Sequence, residues 1–136
     1  MEPGIVAHSP AGHHRGMTTL YGITNCDTVK RARAWLAERD IDYRFHDFKK
    51  DGVPEAALDR WLRELGWEAV VNRRGTTWRR LDDATRDGVT DARTARAALL
   101  ANPSLIKRPV MDWGGTAGLS IGFDAQQWPR HAGVKQ

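Results

Sequence analysis

The sequence predicts an α/β fold built on a mixed sheet, and three observations predict it. An apolar run, Leu20-Tyr21-Gly22-Ile23, passes directly into a helical pattern. A period-two stretch, Ile41 to Phe48, follows that helix. Towards the C-terminus two short apolar stretches flank Gly114-Gly115 and precede a last short helix. Strand, helix and strand in that order imply a right-handed βαβ unit and a parallel strand pair.

Each element has its own signal. Thr18 to Ile23 reads as the first strand and Thr24-Asn25 as a turn. From Cys26 onward, Val29, Ala32 and Leu36 recur at spacings of three and four, which puts them on one helix face. Asn25 is the expected N-cap, and Asp27 falls in the first turn, where the helix dipole favours an acid. Arg39-Asp40 ends this helix, Ile41 to Phe48 is the second strand, and Lys49 to Gly52 reads as a turn. Pro54 fits the first position of a helix whose buried stripe is Ala57, Leu58, Trp61, Leu62 and Leu65, with Gly66 at its end. Trp67 to Val71 is a short apolar piece, Asn72 to Arg80 reads as a cationic loop, and Leu81 to Val89 fits a helical turn. Asp91 to Ala101 is a helix capped by Thr90 or Asp91 and ended by Asn102-Pro103. Ser104 to Met111 reads as a strand interrupted at Arg108-Pro109, Leu119 to Phe123 as the last strand, and Asp124 opens a helix ended by Pro129. Trp35, Trp61 and Trp67 are expected in the core and His46 on the surface. A βαβ followed by a ββα is the order of a thioredoxin-type sheet, here with helices inserted between the halves.

Composition narrows the function. A chain of 136 residues is one domain by size and can bury a core without disulfides. Its single cysteine excludes an intramolecular disulfide and a cysteine-based zinc site, and fits a reducing compartment. Lys and Arg number 21 against 17 Asp and Glu, a net charge of +4. The excess is dispersed and lacks the basic run of a nucleic-acid arm, while arginine, the commoner cation here, suits a small oxyanion. No apolar stretch approaches the roughly 18 residues of a membrane span. Residues 1–16, MEPGIVAHSPAGHHRG, lack a signal-peptide core and read as a disordered leader or extension, leaving 17–131 as the domain. His13-His14 has no further ligands beside it, so no metal site is expected.

Cys26 admits two readings. At a strand-to-helix turn, free backbone N–H groups and the helix dipole favour thiolate, which makes a nucleophile. Free cysteines are also among the most buried residues, which would make this one a small hydrophobe. Val29 stands where a CxxC motif has its second cysteine. A bond formed by Cys26 must then be broken by an outside thiol, such as glutathione or a small redox protein.

Arg108-Pro109 is the second feature. A cis X–Pro bond is rare, and in thioredoxin-like folds a cis proline faces the active thiol. If Pro109 is that residue, Arg108 lies beside Cys26, where it would stabilise thiolate and hold an oxyanion or a glutathione carboxylate. With a trans proline, Arg108 is an ordinary solvated arginine. Arg73, Arg74, Arg79 and Arg80, with Trp78 among them, form the densest basic cluster. It reads as a solvated loop, as a lid over the thiol, or, on thin support, as a stacking site for single-stranded nucleic acid.

LYGITNCDTVKRARAWL, DYRFHDF, LGWEAVVNRRGTTWRRLD and LIKRPV together resemble the arsenate reductase (ArsC) family, in its YffB-like branch, with the Spx regulators as relatives. The resemblance covers nearly all of 17–130. It implies a thioredoxin-like domain with a helical insertion and places the family's catalytic cysteine on Cys26 and its substrate-binding arginine, before a cis proline, on Arg108. The NRRGTTWR segment resembles a signature of that branch, which adds Arg74 and Thr77 to the expected site, alongside Asn25, Asp27, Thr28 and Pro109. The implied activity is a cytoplasmic, monomeric, glutathione-dependent thiol reductase. Glutathione acts as co-substrate, a small anionic or disulfide molecule as substrate, and no cofactor, nucleic acid or membrane is involved. The other reading is an Spx-like regulator that binds RNA polymerase without turnover. Two departures bear on arsenate: Gly22 stands where arsenate reductases carry a histidine, and 118–122 lacks their further arginine.

Overall fold

The computed structural model describes residues 17–133, and the expected leader lies outside the described residues. The chain divides into two compact units, one of residues up to Asp51 together with those from Arg108, the other Gly52–Lys107. The first unit opens with β1 (Thr18–Gly22), α1 (Asp27–Glu38), β2 (Tyr43–Asp47) and α2 (Phe48–Asp51). The second holds α3 (Glu55–Leu65), α4 (Trp67–Val70), α5 (Thr76–Arg80), α6 (Asp83–Asp87) and α7 (Ala92–Ala101). The chain then returns to the first unit with β3 (Val110–Asp112), β4 (Leu119–Ile121) and α8 (Trp128–Ala132).

The sheet of the first unit runs β2-β1-β3-β4. β1 pairs parallel with β2 and antiparallel with β3, and β3 pairs antiparallel with β4. This is the expected thioredoxin-like order, a mixed sheet with a helical insertion. Alternation in β1 buries Thr18, Leu20 and Gly22. Leu20 meets the α1 stripe of Val29, Ala32, Trp35 and Leu36, with Met111, Trp113 and Trp128 completing the cluster. Trp128 stands edge-on to Trp35, Trp113 and Phe123, with ring centroids 5.4, 4.9 and 4.8 Å apart, the favoured quadrupolar arrangement. Trp113 and Trp128 are core residues that the sequence pattern did not flag.

In the second unit, Leu58, Trp61 and Leu62 of α3 and Ala95 and Leu99 of α7 are buried. Arg96 of α7 reaches Asp59 at 2.6 Å and Glu55 at 2.9 Å on α3. Asp91 caps α7, its side chain accepting from the Thr94 N–H in a capping box.

Several boundaries differ from expectation, each for a local reason. β2 stops at Asp47, because its carboxylate accepts the Lys49 N–H at 2.9 Å and starts α2 in place of a turn. Pro54 is the N-cap of α3 and not its first helical residue, its carbonyl accepting from Leu58. Ala57, Leu65 and Trp67 are only partly buried. The stretch expected as a loop over Asn72–Arg80 contains α5. The strand expected from Ser104 begins only at Val110. Before it lie a 3₁₀ turn at Pro103–Leu105 and an isolated bridge from Ile106 to Val71. The last strand ends at Ile121, with Gly122 next at φ 80°. α8 begins at Trp128 and not at Asp124, and Pro129 lies in its first turn instead of ending it, since a missing N–H costs nothing there. His46 is half-buried against Tyr21 and Phe48, with ring centroids 5.1 and 6.1 Å away, and is not an open surface residue.

Trp128 is 1% exposed and joins three aromatic neighbours, so its loss should leave a large cavity. Trp128→Ala is expected to lower unfolding stability by about 3–5 kcal/mol, read as a reduced urea midpoint. A loss below about 1 kcal/mol would contradict this account of the core.

Candidate active site

The site grows from the end of the central strand. β1 leaves the sheet at Gly22, turns through Thr24-Asn25, and enters α1 at Asp27. Cys26, and not Asn25, is the N-cap: its backbone is extended at φ −152° and ψ 120°, and its carbonyl accepts the Lys30 N–H at 2.9 Å. Asn25 is therefore one residue outside the helix, and exposed. Asp27 is in the first turn, also exposed.

The sheet register delivers the arginine. β1 and β3 pair Tyr21 with Val110, antiparallel. Continuing that register sets Pro109 opposite Gly22 and Arg108 opposite Ile23, at the approach to Cys26. The Arg108-Pro109 bond is cis. Pro109 is buried, and its carbonyl accepts the Gly122 N–H at 2.9 Å, which ties the start of β3 to the end of β4.

At the sulfur, opposing effects can be ranked. Partial burial resists ionisation. Against it work the Val29 N–H, then the Arg108 guanidinium through a hydrogen bond and its charge, then the Thr28 N–H. The donors win, and the Cys26 thiol is held below its ordinary value. A neutral thiol is a weak acceptor and closes no side-chain cap bond on α1. The thiolate is the form these donors favour. Cys26 is half-buried at the edge of the core cluster, so the sulfur is neither sealed among aliphatic groups nor fully solvated.

Val29 matters here in a way the sequence did not reveal. Its N–H leads the stabilising donors, and its side chain packs under β1. A Cβ placed on Gly22 would come 2.8 Å from Val29 Cγ2. Gly22 thus has no room for a side chain while Val29 is present. The absence of a histidine at 22 and that of a cysteine at 29 therefore meet in one volume.

The expected site residues fall into two groups. Cys26, Asn25, Asp27, Thr28, Arg108 and Pro109 belong to the first unit, where Cys26, Thr28 and Arg108 meet. Arg74 and Thr77 belong to the second unit, Arg74 on the 72–75 turn and Thr77 in α5. β4 carries no arginine, as the sequence indicated. Among the described residues, no cluster of three His, Cys, Asp or Glu side chains is arranged to hold a metal. Nor is any helix among them long and apolar enough to cross a membrane.

The ArsC family model matches residues 21–130. This chain belongs to the ArsC family. An uncharacterised protein of Haemophilus influenzae is 43% identical to it over 112 residues, covering 82% of this chain and 96% of that one. A solved YffB protein is 45% identical with a TM-score of 0.77, over 82% of this chain and 96% of the other. The solution structure of an arsenate reductase (ArsC) related protein from Brucella melitensis is 44% identical with a TM-score of 0.67, over 89% and 96%. More distantly, the global transcriptional regulator Spx of Streptococcus pyogenes is 29% identical over 115 residues, covering 82% of this chain and 81% of that one.

The alkylation rate of Cys26 should rise with pH through an apparent pKa below that of a free thiol, because the donors favour the reactive anion. Arg108→Ala removes a cation, so it should move that midpoint upward. Gly22→Ala should also raise it by displacing Val29, and Val29→Ala added to Gly22→Ala should restore it. An iodoacetamide pH–rate profile reads all three, and a midpoint unmoved by Arg108→Ala would refute the electrostatic account.

Proposed function

We propose that this ArsC-family chain is a glutathione-dependent thiol oxidoreductase that acts as a cytoplasmic monomer. The observation that carries the proposal is the Cys26 sulfur at the start of α1, between helix N–H groups and Arg108, in a chain with no second cysteine. The likeness to a solved YffB protein and to a solved arsenate reductase (ArsC) related protein supports the same class.

The chemistry follows from a single nucleophile. The Cys26 thiolate attacks the glutathione sulfur of a mixed disulfide, forming a Cys26–glutathione disulfide and expelling the other sulfur as thiolate. A second glutathione thiolate then attacks that disulfide, giving oxidised glutathione and regenerating the Cys26 thiolate. Cys26 is the catalytic residue. Thr28, through its N–H, and Arg108 stabilise the anion, while Asn25, Asp27 and Pro109 shape the approach. Arg74 and Thr77 bind the anionic end of glutathione or of the substrate. Arsenate is a second candidate electrophile, disfavoured because neither position 22 nor β4 supplies a further cation.

A second reading is favoured by the likeness to Spx, namely a regulator that binds RNA polymerase without turnover. Val29 in the resolving position removes an intramolecular redox switch from that reading.

Purified protein with glutathione, glutathione reductase and NADPH tests the proposal. NADPH should be consumed with glutathione mixed disulfides, much less with arsenate, and not at all by Cys26→Ser. Absence of turnover with every mixed disulfide, together with Cys26→Ser retaining the RNA polymerase α C-terminal domain in a pull-down, would replace the enzyme with the regulator.

A further inference from the structure

The arginines of the second unit are not equivalent. Arg73 lies over the Trp67 ring, 5.7 Å from its centroid. Arg79 turns back, and its Nη1 donates to the Arg74 carbonyl at 2.9 Å. Arg86, from α6, donates through Nη1 to the carbonyls of Arg79 at 3.2 Å and Trp78 at 3.5 Å, and also to that of Leu81. Its Nη2 holds the Asp83 carboxylate. Two of the cations are thus used on backbone carbonyls.

The Arg74 peptide is gripped at both ends. Its N–H donates to Asn72 Oδ1 at 3.2 Å, and its carbonyl receives Arg79. The turn that presents it is tight: a Cβ on Gly75 would lie 2.7 Å from Asn72 Nδ2. The Arg74 side chain is exposed, and among the described residues its guanidinium has no partner.

We propose that Arg86 is a positioning residue. It caps the carbonyls at the end of α5, that of Arg79 among them, and the Arg79 side chain in turn holds the Arg74 carbonyl, so that the Arg74 side chain leaves the turn towards an anion from a held backbone. The proposal rests on the anion-binding role given to Arg74 above. Planar donors are needed because one guanidinium spans several carbonyls and a carboxylate, which an ammonium cannot do in the same geometry. A held backbone leaves only the side-chain torsions to be ordered when an anion binds, which lowers the cost of binding.

Arg86→Lys separates this from a simple charge patch, since it keeps the charge and loses the fork. With the mixed disulfide of glutathione and 2-mercaptoethanol, its KM should rise roughly three- to tenfold, the scale of one or two net hydrogen bonds. kcat and the alkylation rate of Cys26 should not change. Amide hydrogen exchange over 74–81 should quicken while that of α7 does not. A wild-type KM in Arg86→Lys, when Arg74→Ala raises it, overturns the positioning role alone. A wild-type KM in Arg74→Ala overturns the anion-binding role of Arg74 and the positioning role with it. Faster exchange throughout α7, or a fall in kcat and alkylation together, marks a general loss of structure and also overturns the proposal.

Discussion

The contest between burial and donor groups at one sulfur governs this molecule. Half-burial alone would keep Cys26 a thiol. What reverses the outcome is geometry that costs the fold almost nothing. An N-cap residue must be extended, and the next N–H groups must lack helical partners. The β1-to-α1 turn satisfies both requirements with Cys26 at the cap, so the Thr28 and Val29 amides face the sulfur. Arg108 arrives through sheet register: β3 is the antiparallel neighbour of β1, and the chain enters β3 through Arg108-Pro109. The reactive group and its cation are 82 residues apart in sequence (108 less 26) and adjacent because two central strands are paired.

That same corner bears on the absence of a second cysteine at position 29. Val29 is fully buried, its side chain lies against Gly22, and its N–H favours the thiolate. A smaller, polar side chain there would leave a gap beside Leu20 and loosen the amide that contributes most to the anion. Packing and electrostatics therefore favour an aliphatic residue at 29, and the missing resolving cysteine is compatible with a well-filled core. In the proposed reaction an external thiol takes the part that a cysteine at 29 would have played.

Much of this was legible in the sequence. The β1-α1-β2 start follows from periodicity alone, and Val29, Ala32 and Leu36 are all fully buried. The turn at Cys26 and the Arg108-Pro109 dipeptide left their pairing open, and it was the family resemblance that put the two together. The parts that were not legible share a cause, which is tertiary context overriding a short local pattern. Residues 104–109 contain enough apolar character for a strand, yet Pro109 has no N–H for a ladder, and Ile106 bridges to Val71 instead. Trp113 and Trp128 lack a helical or strand neighbour pattern and are buried because α8 folds back on the sheet cluster. The α5 segment has no apolar stripe; Asn72 holds the turn before it, and Arg86 takes the carbonyls at its end.

α5 also changes how a basic composition should be weighed. Counted from sequence, Arg73, Arg74, Arg79 and Arg80 are four cations in one stretch, open to a solvated loop, a lid or a nucleic-acid stacking site. Resolved into partners, Arg73 faces an aromatic ring and Arg79 a carbonyl, leaving Arg74 and Arg80 uncommitted among the described residues. A polyanion is attracted by summed charge and tolerates loose side chains. A single carboxylate or oxyanion is held by one or two forked donors, and gains most when those donors are already fixed. An arginine whose peptide is secured on both sides, with its guanidinium left open, goes part of the way, since only its side chain remains to be ordered. The distribution of hydrogen bonds, more than the net charge, therefore favours a small anionic ligand over nucleic acid.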